Sequence, residues 1–133
     1  MATLAMPSME FHITKAKRNE GFYKLHKLET SDFKEWAIIV QFYISLHYVD
    51  AVLSQDAALP SGMQNPNDHT KRKRAIAQCA QLAPIASMYL NLCDRCREAR
   101  YYKDHFPDDY FNNLVTRVFR PMKAHLANCL NLP

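Results

Sequence analysis

The sequence predicts an all-α fold, an up-and-down bundle of four to five helices, and three observations carry that prediction. One is the stretch Trp36 to Leu53, a helix-length run whose only formal charge is Asp50. The next is punctuation: the 133 residues contain only two glycines, and no alternating apolar and polar run is long enough to argue for a sheet. The third is a set of start signals, at Asp32, Asp68 and Pro107, each followed by apolar residues at helical spacing. With 48% hydrophobic content the chain has apolar material for one core. A single helical domain is expected over 8–133, after a flexible N-terminus at 1–7.

The elements follow in order. A first helix is predicted from Ser8 to Leu28, with Phe11, Phe22, Leu25 and Leu28 inward and the lysines outward. Asp32 and Glu35 have capping-box spacing and should open the central helix. There Ile38, Phe42, Leu46, Val49 and Leu53 form one apolar stripe, and Trp36, Tyr43, His47 and Asp50 line up beside it as a hydrogen-bonding row. A buried helix rarely carries such a row without partners, so these are expected elsewhere in the chain or in a second copy of it. The turn formers of LPSGMQNPND end this helix. Asp68 can cap a third helix reaching about Leu82, and Pro84 can open or kink a fourth with Ile85, Tyr89, Leu92, Cys96 and Ala99 on one side. Pro107, Asp108 and Asp109 begin a last helix that presents Phe111, Leu114, Val118, Met122 and Leu126, bent by Pro121.

Charge and cysteines narrow the function classes. Seventeen Lys and Arg against thirteen Asp and Glu leave a net charge of +4, which excludes a protein that coats nucleic acid over its whole surface and leaves room for a local basic patch. The N-terminal MATLAMPSMEF lacks the basic region and sustained apolar core of a signal peptide, so a cytoplasmic location with reduced thiols is expected. The central segment could reach across a bilayer, but Gln41, Ser45, His47, Asp50 and two tyrosines interrupt it; a core helix of a soluble protein is expected, with no membrane partner. Cys93-Asp94-Arg95-Cys96 has the spacing of a zinc half-site or a redox pair. No second motif completes a zinc site, and the pair falls deep within a predicted helix rather than at its N-terminus. Buried free thiols are therefore expected, with no metal and no cofactor. Gly21 and Gly62 stand alone, so there is no phosphate-binding glycine loop, and no serine lies in a nucleophile elbow.

EWAIIVQFYISLHYVDAVL, then a loop and HTKRKRAI, then EARYY before a final helix, resembles the HEPN superfamily of small helical domains. The resemblance covers roughly Ala16 to Leu126 and is best in the aromatic pair and histidine of FYISLH. It implies a domain that dimerises and works on RNA in prokaryotic defence, toxin–antitoxin systems or RNA processing. The alternative to that resemblance is a non-catalytic interaction subunit, a dimer or adaptor that binds a partner protein within a larger assembly and whose polar row is structural. Catalytic members resemble one another in an Arg, four to six residues, His motif that cleaves RNA without a metal, and Arg100-Tyr101-Tyr102-Lys103-Asp104-His105 satisfies that spacing. A histidine near neutral pKa can move a proton as the ribose 2'-hydroxyl attacks the phosphate, while an arginine holds the charge on the phosphoryl oxygens. The chain departs from the motif at Tyr101, where Asn, His or Asp is common, and at Pro107, where toxin-like members carry tyrosine. In a structural role Arg100 would instead pair with Asp94, Glu98 or Asp104.

Two further groups admit two readings each. His47 lies one turn from Tyr43 and from Asp50, so Asp50 could hold one imidazole nitrogen while the other faces a ligand. Alternatively the row is a structural polar core, satisfied internally and by Arg72 or Arg74. Lys71, Arg72, Lys73 and Arg74 follow His69 in the first turns of the third helix, where cations oppose the helix dipole. RNA phosphate is one candidate partner for them; a solvated basic face with one arginine turned inward is the other.

Overall fold

The element that organises the molecule is the apolar helix seen in the sequence. The computed structural model describes residues 7–133, so most of the segment expected to be flexible, 1–7, lies outside the described residues. All regular structure among the described residues is helical: α1 Met9–Leu25, α2 Lys34–Ser54, α3 Ser61–Gln64, α4 His69–Gln78, α5 Ala86–Tyr101, α6 Asp108–Leu114 and α7 Arg120–Cys129. α6 and α7 form one continuous rod through a π-helical turn at Val115–Phe119. α1, α5 and α7 all pack against α2, and α3 and α4 close over its C-terminal half.

The predicted stripe of α2 is the core: Ile38, Phe42, Leu46, Val49 and Leu53 are all buried. Tyr89, Leu92 and Cys96 of α5 meet it from one side, and Phe111, Leu114, Met122 and Leu126 of the last rod complete the cluster. By length and composition α2 could cross a membrane, but most of its apolar stretch is covered by the other helices.

The first helix turns the other way from its expected orientation. It ends at Leu25, and Phe11, Phe22 and Leu25 are exposed, Leu25 by 76%. The buried face is instead His12, Ala16 and Tyr23. The cause lies in α2, whose strip toward α1 contains the buried polar residues Gln41 and Ser45. Gln41 Nε2 donates to the Tyr23 hydroxyl at 2.8 Å, and the Tyr48 hydroxyl donates to Glu20. Hydrogen-bonding complementarity, not apolar spacing, selects the face of α1.

The capping box at Asp32 and Glu35 does not form either. Lys27 adopts a left-handed backbone conformation with φ 49°, a 3₁₀ turn follows at Leu28–Thr30, and the helix starts after Phe33 without a side-chain cap. Ser31 takes the local bonds, donating to the Leu28 carbonyl at 2.8 Å and accepting from the Phe33 amide at 3.1 Å. Asp68 does cap α4, its carboxylate accepting from the Lys71 amide at 2.7 Å. α4 stops at Gln78, short of Leu82, and Pro84 lies in a 3₁₀ segment, Ala80–Ile85, that leads into α5. Pro121 is accommodated in the last rod rather than breaking it. A proline cannot donate to the preceding turn, and the π turn just before it re-registers the backbone, with the Arg120 amide bonding to the Val115 carbonyl.

Candidate nucleic-acid interface

The hydrogen-bonding row of α2 finds its partners within the chain, from two different helices. Asp50, buried, accepts two bonds from Arg72 of α4: Nε to Oδ1 at 2.7 Å and Nη2 to Oδ2 at 3.0 Å. Arg72 Nη2 also donates to the Pro66 carbonyl at 3.2 Å, which fixes the loop before α4. At the other end of the row the Tyr43 hydroxyl accepts from Arg100 of α5 at 3.1 Å. Trp36 has no such role, being 56% exposed on the surface.

His47, between these two pairs, is half-buried and makes no hydrogen bond to a described residue. Its imidazole is held below the ordinary value first by burial, against the attraction of Asp50. The expected hydrogen bond from His47 to Asp50 is absent; each carboxylate oxygen accepts one bond from Arg72 instead and keeps a lone pair. The imidazole remains beside that carboxylate, together with His12 of α1: ligand atoms of all three residues lie within 4.8 Å of one another.

Beside Arg100 the surface opens into a cleft of about 300 Å³, lined by Phe42, His69, Lys73, Arg97, Arg100 and Tyr101, with Cys93, Asp94 and Cys96 also on its wall. Two helices build it. Asp68 starts α4 so that His69 and Lys73, one turn apart, share a face, and α5 places Arg97 and Arg100 together. Three fixed cations and an imidazole therefore converge against one carboxylate. Arg100 is further positioned by Tyr101, donating to its hydroxyl at 2.8 Å while the guanidinium lies 4.9 Å from the ring centroid. It pairs with none of Asp94, Glu98 and Asp104 through an ion pair, and Glu98 is taken by Arg95 at 3.0 Å. A guanidinium held by two phenols keeps its full charge for an anion, and its fork suits a phosphate. His69 is the cleft's imidazole; partial burial, then Arg72, Lys73 and Arg100, hold its pKa below the ordinary 6.5.

The basic run divides by the helical wheel. Arg72 turns inward and is buried, so it belongs to the core and not to an RNA surface. Lys73 enters the cleft, Lys71 donates to Asn67 at 3.2 Å, and Arg74 is exposed. His105 is not among the residues that line the cleft. It sits in the exposed connection between α5 and α6, so a single chain does not bring Arg100 and His105 to a common pocket. The sequence had singled out His69 with the basic run that follows it, but spacing had no way to select Arg97, which meets His69 in the cleft only because α4 and α5 pack side by side.

All four cysteines are free. Cys96 is buried and its thiol is pushed up to about 11 by that burial; burial likewise raises Cys93. Neither has the lowered thiol pKa of a redox pair.

A second groove, lined by Glu35, Trp36, Ile39, Ala99, Arg100 and Tyr101, runs from the cleft toward an aromatic surface made by Phe22, Phe33 and Trp36. Set against protein-family models, curated proteins and solved structures, the chain matches none of them.

Proposed function

We propose that the chain is an RNA-directed, HEPN-like helical module whose cleft between α4 and α5 holds a phosphate of the RNA backbone. The observation that carries this reading is the convergence of Lys73, Arg97 and Arg100 with His69 in one cleft, beside the exposed ring of Tyr101. Cations that converge in this way contact phosphate oxygens, and an exposed aromatic ring gives an unstacked base a surface to lie on. Single-stranded RNA offers both together.

Cleavage of the bound RNA is the catalytic form of this reading, and His69 favours it. Arg100 would hold the charge that grows on the phosphoryl oxygens, and His69, neutral near pH 7, would accept the proton of the attacking 2'-hydroxyl; the O2'–P bond forms as the P–O5' bond breaks, and the departing 5'-oxygen takes a proton from water, leaving a 2',3'-cyclic phosphate and a 5'-hydroxyl. The chemistry needs no metal ion. Incubating the protein with single-stranded RNA tests it: cleavage is expected to persist in EDTA and to be lost in folded Arg100→Ala and His69→Ala variants, while His105→Ala retains it. Activity that survives both of the first two substitutions would overturn the catalytic form. RNA binding that also survives them would place the RNA contact outside the cleft and overturn the reading, whereas a parent protein that binds no RNA would favour the non-catalytic interaction subunit, for which Phe22, Phe33 and Trp36 supply an exposed surface.

A further inference from the structure

We propose that His12, His47 and Asp50 form a binding site for a divalent transition metal of the zinc class, which clamps α1 to α2. The three side chains come from two helices and offer two imidazole nitrogens and one carboxylate, a donor set that suits zinc better than the oxygen-seeking magnesium or calcium. Their ligand atoms already lie within 4.8 Å of one another. Tetrahedral zinc with bonds near 2.0 Å separates its ligand atoms by about 3.3 Å, so closure asks for a convergence of about 1.5 Å, within reach of imidazole rotation.

The surroundings fit a metal better than they fit a self-contained polar cluster. His12 and Asp50 are buried, yet no hydrogen bond joins any two of the three residues. His47, which has no protein partner among the described residues, is half-buried and leaves the cluster open to entry from solvent. The remaining contacts are those that orient ligands: Arg72 fixes the Asp50 carboxylate at 2.7 Å and 3.0 Å, and Asn65 Oδ1 stands 3.3 Å from His12 Nε2. Outer partners of this kind set the direction in which a ligand points. Arg72 also cancels the charge of Asp50, so the affinity is expected to fall below that of cysteine-rich structural zinc.

The test is calorimetric titration of the EDTA-stripped, desalted protein with zinc chloride, alongside the absorption spectrum with cobalt(II). One equivalent should bind, with the cobalt bands of a tetrahedral nitrogen and oxygen site and an upward shift in melting temperature. His47→Gln, which removes no protein hydrogen bond and so preserves the fold, should weaken binding by at least about tenfold, and His12→Gln should do the same. A Cys93→Ser/Cys96→Ser protein should bind as the parent does. Absence of saturable binding, binding unchanged in His47→Gln, or binding lost with the two cysteines would each overturn the proposal. None of these results bears on the RNA cleft, whose residues are separate.

Discussion

Asp50 and Arg72 decide how much of the polar row is structural. Both are buried, and the pair is bidentate, so each charge depends on the other for the hydrogen bonds it lost on leaving water. Asp50→Asn leaves the guanidinium charged and without a counter-charge, which is expected to cost about 3 to 5 kcal/mol, in the range of the cavity opened by Phe42→Ala. Urea denaturation of the variant checks this. A loss below about 1 kcal/mol, typical of exposed pairs, would show that the carboxylate is not the partner the fold relies on. Sequence reading located Tyr43, His47 and Asp50 correctly on one row and named Arg72 among the possible partners. It could not assign the bonds, because a helical wheel shows which residues share a face and not which neighbouring helix arrives there.

Among the elements, α2 was the most legible and α1 the least. The stripe of α2 is apolar throughout, so burial and hydrophobic spacing point the same way. In α1 they point opposite ways: Phe11, Phe22 and Leu25 are outside, and its inner face is made by Ala16, the partly buried Met9 and Ile13, and the hydrogen bonds of Tyr23 and Glu20. The last rod was legible through its five apolar positions, whereas the π turn that absorbs Pro121 leaves no periodic signal. The cleft belongs to two elements at once, and its pH response follows from their charges. His69 faces Arg72 and Lys73 of α4, Arg100 of α5 and the capping Asp68, and after burial the cations hold it neutral to lower pH than usual. A bound phosphate favours the protonated imidazole. RNA affinity is therefore expected to rise as pH falls from 7.5 through and below 6.5, and to lose this part of its pH dependence in His69→Ala. Fluorescence anisotropy at fixed ionic strength measures it. An identical pH response in the variant would remove His69 from the site.

For the whole molecule, the unpaired feature is the aromatic surface of Phe22, Phe33 and Trp36, joined to the cleft by the groove along Ile39 and Ala99. Exposed aromatic clusters of this sort mark contact surfaces. A two-fold dimer through it would bring together the grooves of two copies, each running from Trp36 to its own Arg100. Sedimentation velocity should show a homodimer that Trp36→Asp converts to a folded monomer; a parent protein that sediments as a monomer would contradict the dimer and leave each cleft to act alone.

Binding of RNA phosphate in the α4–α5 cleft is tested by the salt dependence of RNA affinity. Three cations contacting the backbone of a single strand predict a slope of about −2 in the logarithm of affinity against the logarithm of salt concentration. Measured by fluorescence anisotropy on one single-stranded RNA, the parent should show this slope. A folded Lys73→Ala/Arg97→Ala/Arg100→Ala variant should bind far more weakly and lose most of the slope, and Lys71→Ala/Arg74→Ala should stay close to the parent. A triple variant that keeps the parent's affinity and slope would contradict the claim and place any RNA contact elsewhere on the molecule.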